Sequence, residues 1–316
     1  AIIVANHQSL VDLLLVFSIN PSVVVVTQGW VFKSPLFGLI VRIAGYLPAN
    51  SGIENIEDKV KETLDKGLSV LIFPEGTRSK DLKVHRFHKG AFFLAEKYNV
   101  DIIPAVIYGS GMIFSKIQPQ YVAPGVMRMN ILPRITPKDE TFGKTYQDRS
   151  KNIRNYVNSY LQIMKSRYDI PENKYYKSAL IRQYLFKDRD IEYSVYSHCV
   201  KHNWYNDIVN KVPRNATVLD INCGYGELAL MLAITSDERN VYAYSASQEE
   251  FSIAENSVLG KNIKFFANDN FISDMPEIDV IIYQAKGNEL TPEDNVILEK
   301  FNKRLSTDGT ILIKYH

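Results

Sequence analysis

The chain has 316 residues, enough for two domains, and its 46% hydrophobic and 23% charged residues exclude a disordered chain. Its net charge of +2 is too small to indicate nucleic acid, so no nucleic-acid partner is expected. The two cysteines, Cys199 and Cys223, stand far apart, which excludes a disulfide framework and a zinc spacing, predicts no metal and points to a reducing compartment.

Ala1 lies inside an apolar run with no start methionine, which predicts a piece of a longer chain. Ile2 to Ala5 reads as a strand and Leu10 to Ser18 as a helix, stopped by Asn20-Pro21. The β-branched run Val23 to Val26 reads as a buried strand, and Lys33 to Ala44 carries apolar residues at helical spacing. Ile56 to Lys66 is an amphipathic helix closed by Gly67, followed by a strand over Ser69 to Phe73. Gly90 to Tyr98 reads as a helix, Ile102 to Ile107 and Val126 to Leu132 as strands, and Gln147 to Ser166 as a long helix. No run of about 18 uninterrupted apolar residues predicts a membrane span; Asp12, Ser18, Asn20 and Pro21 break the stretch from Leu10 to Val26.

From Lys165 the texture changes to a tract rich in Tyr, Lys and Arg, read as helices joining two α/β patterns. The second pattern has strands ending at Asp220 and running over Asn240 to Tyr244, Ile263 to Ala267, Asp279 to Tyr283 and Thr310 to Lys314. Helices Glu227 to Thr235, from Gln248, and Pro292 to Leu305 alternate with them. The expected fold is therefore α/β: an N-terminal α/β domain over 1–165, a helical connector over 166–213, and a Rossmann-like doubly wound sheet over 214–316.

"NHQSLVD", residues 6 to 12, places His7 at the exit of a strand and Asp12 in the first turn of the next helix. An imidazole whose one nitrogen is fixed by a carboxylate leaves the other free to take a proton from a hydroxyl. A carboxylate is also favourable at a helix N-terminus for purely structural reasons, so both explanations of Asp12 stand. "FPEGTRS", residues 73 to 79, puts Glu75, Gly76 and Arg78 on one turn, and a guanidinium there suits a phosphate. Basic residues continue through Lys80, Lys83, His85, Arg86, His88 and Lys89. A charge run is commonly a solvated loop, but the ordered Pro-Glu-Gly core argues for more.

Together, "NHQSLVD" and "FPEGTRS", with the later "IIPAVIYG" around Pro104, resemble the glycerolipid acyltransferase family of the lysophosphatidic acid type, over residues 1 to about 165. The resemblance implies that His7 is a general base oriented by Asp12, and that Asn6, Ser9, Glu75, Gly76, Thr77, Arg78 and Lys89 bind substrate. The acyl donor would be a thioester, acyl-coenzyme A or an acylated carrier protein, and the acceptor a lysophospholipid-like hydroxyl. One departure is Ser51, about where the family carries a phosphate-binding arginine; Lys33 or Arg86 could compensate. Trp30, Phe32, Leu36, Phe37, Leu39 and Ile40, interspersed with Lys33 and Arg42, read equally as an interfacial surface for a membrane or as a buried helix.

"VLDINCGYGELALMLA", residues 218 to 233, is a strand, a glycine turn and a helix. Within five β-α units it resembles the class I S-adenosylmethionine-dependent methyltransferase fold, incomplete because the chain stops after the fifth strand. The resemblance implies that Asp220, Gly224, Gly226, Ser245 and Asp269 hold the cofactor, with Asn288-Glu289 where substrate residues often lie. Asn222 replaces the first glycine, and Ser245 stands where an acid should grip the ribose hydroxyls. A working methyltransferase and a degenerate structural or regulatory module both fit. The order of parts resembles bacterial trifunctional proteins, in which an exporter region of the resistance-nodulation-division kind precedes an acyltransferase and a methyltransferase. That implies a site on the cytoplasmic face of a membrane and an exporter region as partner. A non-catalytic lipid-binding module attached to such an exporter remains the alternative.

Overall fold

In the first unit, short apolar runs alternating with helices build one sheet. A computed structural model describes residues 1–20, 22–35, 38–49, 56–117, 120–202, 205–256 and 262–315. They fall into two units, Ala1–Arg167 and Tyr168–His316.

The first unit runs β1 (Ile2–Ala5), α1 (Asp12–Ile19), β2 (Val23–Gln28), a 3-10 turn (Gly29–Lys33), α2 (Gly38–Ile43), β3 (Leu47–Ala49), α3 (Glu57–Asp65) and β4 (Ser69–Ile72). It continues with α4 (Gly90–Lys97), β5 (Ile102–Tyr108), α5 (Ser110–Ile113), β6 (Arg128–Ile131) and α6 (Tyr146–Tyr168). The sheet order is β3-β2-β4-β1-β5-β6, parallel except for the antiparallel edge strand β6. The central strands are apolar throughout because both faces are covered, as in parallel sheets generally; Ile2, Val4, Val70, Leu71, Val25 and Ala105 are buried.

Two expectations shift. The helix read over Lys33 to Ala44 shrinks to α2, and Leu47-Pro48-Ala49 forms a strand paired with β2. β3 lies at the sheet edge, where a proline's missing N–H costs no ladder bond.

The second unit carries α7 (Lys174–Tyr184), α8 (Arg189–Tyr196), a π-helical turn (Ser197–His202), α9 (Asn206–Val209), β7 (Thr217–Ile221), α10 (Glu227–Thr235) and β8 (Asn240–Tyr244). α11 (Gln248–Glu255), β9 (Ile263–Phe266), a 3-10 turn (Asp269–Asp274), β10 (Ile278–Ala285), α12 (Pro292–Asn302) and β11 (Leu305–Tyr315) follow. All five strands are parallel, in the order β11-β10-β7-β8-β9. With β7 in the middle and the order reversing beside it, this is a doubly wound sheet with its switch point at the exit of β7.

The helices between the two sheets group with the second unit. Tyr184, 1% exposed, donates its hydroxyl to the carbonyl of Tyr225 at 2.8 Å, and Arg214 reaches back to the carbonyl of Asp169 at 3.1 Å. Of the tyrosines that gave this stretch its polar texture, Tyr176, Tyr184 and Tyr205 are core residues, while Tyr193 and Tyr196 are exposed.

Candidate functional sites

In the first unit, β1 and β4 are adjacent and parallel, with Val4 opposite Ile72. Three residues further along each strand, His7 therefore meets Glu75. The two motifs, distant in sequence, leave the sheet side by side at its carboxyl edge, where ligands of open α/β sheets bind.

The backbone of His7 is gripped on both sides. Its N–H donates to Glu75 Oε1 at 2.9 Å, and its carbonyl accepts from the N–H of Ser79 at 2.8 Å. Its ring stacks on Phe73, centroids 4.1 Å apart and 18° from parallel. Nδ1 lies 2.8 Å from Asp12 Oδ2. Asp12 is fully buried, and the same oxygen accepts the N–H groups of Gln8 and Ser9 at 2.8 and 2.9 Å. A carboxylate only accepts, so Nδ1 carries the proton and Nε2 presents its lone pair. The imidazole is 16% exposed, enough for a substrate to reach that nitrogen.

Arg78 is the second element. Its Nη1 is buried without a hydrogen-bond partner among the described residues. Burial lowers its pKa, while the nearby Asp12 charge opposes that. Gln8 Oε1 and Asp12 Oδ1 are likewise buried and unpaired. Unpaired buried polar atoms are rare, and three in two adjoining motifs mark a place where a ligand or water completes the bonding.

Several residues expected to touch substrate do other work. Asn6, 1% exposed, gives its amide N–H to the carbonyl of Ile107 at 2.8 Å and accepts the N–H of Ile107 at 2.7 Å, extending the ladder past the end of β1. Ser9 is fully buried and donates to the carbonyl of Phe114 at 2.7 Å. Glu75 is 5% exposed, with Oε1 taken by His7 and Oε2 by the N–H of His85 at 3.0 Å. Burial raises its pKa against the pull of those two N–H groups. It is a clamp between the motifs, each oxygen holding one backbone N–H. Gly76, at φ +68, makes the turn that a side chain would strain, and its carbonyl accepts from Gln28 Nε2 at 3.1 Å. Thr77 is exposed. Lys89 lines a different cleft, which includes neither His7 nor Arg78.

The sequence reading missed Lys116. Its Nζ donates to Thr77 Oγ1 and to the carbonyl of Arg78, both at 2.8 Å, and holds a second cation beside the guanidinium. Burial lowers its pKa, helped by the charges of Arg78 and Lys80. No local pattern marks it; only the fold brings it to this loop. Ser51 lies outside the described residues, as do Leu36 and Phe37. Trp30, Leu39 and Ile43 are 52%, 66% and 78% exposed, so the apolar segment is only partly core.

In the second unit, the glycine turn after β7 faces a cleft of about 260 Å³, lined among others by Asn222, Gly224, Ser245, Glu250 and Gln284. Asn222 sits at φ +58, the left-handed region that asparagine tolerates best after glycine, so the replaced glycine costs little. Gly224 lies in the same region at φ +55, and a Cβ there would meet nothing closer than 4.0 Å. Gly226 serves packing instead: a Cβ would come within 2.7 Å of Phe265. Asp220 is fully buried beneath the turn and absent from the cleft lining; it accepts from Gln284 Nε2 at 2.8 Å, and burial pushes its pKa up to about 7. Its Oδ2 is buried without a hydrogen-bond partner among the described residues.

A carboxylate stands beside Ser245, supplied by another segment. Ser245 donates its hydroxyl to Glu250 Oε2 at 2.6 Å, and Glu250, from the first turn of α11, lines the cleft. The side chain of Asp269 lies outside the described residues. The cleft thus has an open glycine turn and a carboxylate in reach, which fits a nucleoside. Cys199 and Cys223 are free and buried, and burial pushes both thiols up. Among the described residues no cluster has metal-ligand composition, and no helix is long and apolar enough to cross a membrane.

Residues 1–108 match the acyltransferase family model. Over those residues the first unit is similar to acyltransferase domains. Relatives include a chloroplastic 1-acyl-sn-glycerol-3-phosphate acyltransferase of Arabidopsis thaliana, 36% identical over 118 residues, covering 36% of this chain and 33% of that protein. The human beta form of that acyltransferase is 30% identical over 141 residues, covering 42% of this chain and 50% of the relative. The chain thus spans between a third and a half of the length of these relatives. Among solved structures, the 1-acyl-sn-glycerophosphate acyltransferase of Thermotoga maritima is 27% identical, covers 52% of this chain and 66% of its own, and has a TM-score of 0.45. A coclaurine N-methyltransferase structure is 20% identical, covers 38% of this chain and 36% of its own, and has a TM-score of 0.31.

Proposed function

We propose that the first unit transfers an acyl group from a thioester to the hydroxyl of a phosphate-bearing lysolipid. The observation that carries this is the His7 imidazole, fixed through Nδ1 by buried Asp12, with Nε2 open and, near Asp12, the buried Arg78 Nη1 without a partner among the described residues. Nε2 takes the acceptor's hydroxyl proton as the oxygen attacks the thioester carbonyl carbon. The C–O ester bond forms, the C–S bond breaks, and the imidazolium returns its proton to the departing thiolate. Arg78 and Lys116 place two cations where the acceptor phosphate would sit; Arg78 offers it a charge-assisted bond. Exposed Trp30, Leu39 and Ile43 suit contact with a lipid surface, consistent with a site on the cytoplasmic face of a membrane.

The test is Arg78→Ala. Loss of one charge-assisted phosphate contact should raise the KM for a phosphate-bearing acceptor by about tenfold or more, while the KM for the acyl donor stays unchanged. Equal acceptor KM values in the two proteins would remove Arg78 from the site.

A second reading concerns the second unit. The Ser245–Glu250 pair beside the glycine turn favours an S-adenosylmethionine site, with Gly224 at the turn and Glu250 on the ribose hydroxyls. When bound, that cofactor supplies an electrophilic methyl group. Calorimetric titration with S-adenosylmethionine should give binding that Glu250→Gln weakens by about tenfold. Identical affinities, or none in the unsubstituted protein, would leave this unit as a structural module.

A further inference from the structure

A second basic cleft, separate from His7, opens in the first unit. It has a volume of about 490 Å³, within the size range of small-molecule sites. Its lining brings together Arg86, Lys89, Lys151 and Arg154, with Asp148 as the one carboxylate. Asp148 Oδ2 already accepts the hydroxyl of Thr145 at 2.7 Å.

The cleft is built rather than incidental. Ser150, 4% exposed, donates to the carbonyl of Phe87 at 3.0 Å and seats α6 against the segment that carries Arg86. Arg154 donates to the carbonyls of Val84 and His85, which fixes its guanidinium. No ion pair among the described residues engages Arg86, Lys89 or Lys151, so these three cations share one concavity with a single carboxylate, Asp148. Lys89 also stands at the N-terminus of α4, where the helix adds positive potential. Gathering like charges in a concave place is costly unless an anion completes it.

The cleft is tied to the catalytic loop through His85, and the segment that lines it also through the N–H of His88, which donates to the carbonyl of Pro74 at 2.7 Å. His85 gives its N–H to Glu75, which holds His7, and its carbonyl to Arg154, which lines the cleft. Acyl transfer between a thioester and a lysolipid uses two anionic substrates. The acceptor's phosphate lies near its reacting hydroxyl and so belongs at Arg78. The phosphates of a coenzyme A thioester lie at the far end of a long pantetheine arm, away from the reacting carbonyl. A multiply cationic cleft of small-molecule size whose lining excludes His7 and Arg78 matches the second and not the first.

We infer that the Arg86–Lys89–Lys151–Arg154 cleft binds the phosphorylated adenosine end of a coenzyme A acyl donor. This rests on the acyl-transfer reading and names its donor. The test uses the double variant Arg86→Ala/Lys151→Ala, whose two side chains are exposed and make no ion pair among the described residues. Coenzyme A is titrated calorimetrically into the unsubstituted protein and the variant, beside 3′-dephospho-coenzyme A and pantetheine. The expected result is coenzyme A binding that weakens by about tenfold or more in the variant, falls with added salt, and is weaker for the dephospho form and weakest for pantetheine. The KM for acyl-coenzyme A rises in parallel while that for the lysolipid does not.

Unchanged coenzyme A affinity in the variant, or no binding to the unsubstituted protein, overturns the inference. So does a variant that loses flotation with phosphatidylglycerol vesicles, or turnover with an acylated carrier protein, while coenzyme A binding holds. Binding needs no turnover, so the two readings fail separately. A protein that binds coenzyme A through this cleft yet transfers no acyl group rejects the role of His7. An active protein whose coenzyme A affinity ignores the substitutions rejects the cleft.

Discussion

His7→Ala lowers the turnover of acyl transfer by about 10²- to 10⁴-fold, the range a positioned general base supplies, and leaves the first unit folded. The two effects separate because the residue's two jobs are done by different atoms. Its backbone N–H and carbonyl tie the motif to Glu75 and Ser79, and alanine keeps both. Its ring contributes the bond to Asp12 and the stack on Phe73, of which only the first bears on proton transfer. The measurement is turnover at saturating acceptor and donor, with thermal unfolding of the same preparation. Turnover within a few-fold of the unsubstituted protein, in a folded variant, would take the imidazole out of the mechanism.

Glu75→Ala has the opposite character: it costs stability and activity together. Alanine leaves the N–H groups of His7 and His85 without acceptors in a buried place, at about 1–3 kcal/mol each. Part of that is offset, because a carboxylate held at 5% exposure no longer has to be desolvated. A net loss of about 2–4 kcal/mol is expected in denaturant unfolding of the first unit. Turnover falls because His7 loses the anchor that fixes its position against Asp12. Glu75→Gln retains one acceptor oxygen and should lie between. Unchanged stability in Glu75→Ala would mean that these two bonds are replaced by water, and that Glu75 is free to meet a ligand after all.

Glu75 also shows where sequence reading reaches its limit. The position of the acid within Pro-Glu-Gly-Thr-Arg is visible in the chain; that both its oxygens are spent on backbone N–H groups depends on β1 and β4 lying side by side. The five-residue step from His7 to Asp12 is a local feature, so the approach of the two side chains could be anticipated. The parallel α/β architecture was legible for a similar reason: buried strands such as Val23 to Val26 and helices such as Glu57–Asp65 carry their periods in short stretches. β3 was not legible, since three residues with a central proline carry no strand pattern and owe their pairing to β2.

Lys116 and Glu250 escaped because each acts on a site built by another segment. Lys116 follows α5 and reaches the Thr77–Arg78 turn. Glu250, in a helix's first turn, brings a carboxylate to Ser245, the position where an acid was expected at the end of a strand. The helices between the sheets were misleading for a different reason. Their tyrosines look like surface, and Tyr184 and Tyr205 are instead fully packed, with Tyr184 bonded to the glycine turn it supports.

The central claim is that the first unit forms an ester between an acyl chain and a lysolipid. Its most direct test is to follow an isotopically labelled acyl chain, offered as a coenzyme A thioester and as a carrier-protein thioester, in the presence of 1-acylglycerol 3-phosphate. Product identification by mass spectrometry should find the label in a new ester on the acceptor, accompanied by one free thiol per ester. Label that stays on the thioester with every donor, or appears only as free fatty acid, would contradict it.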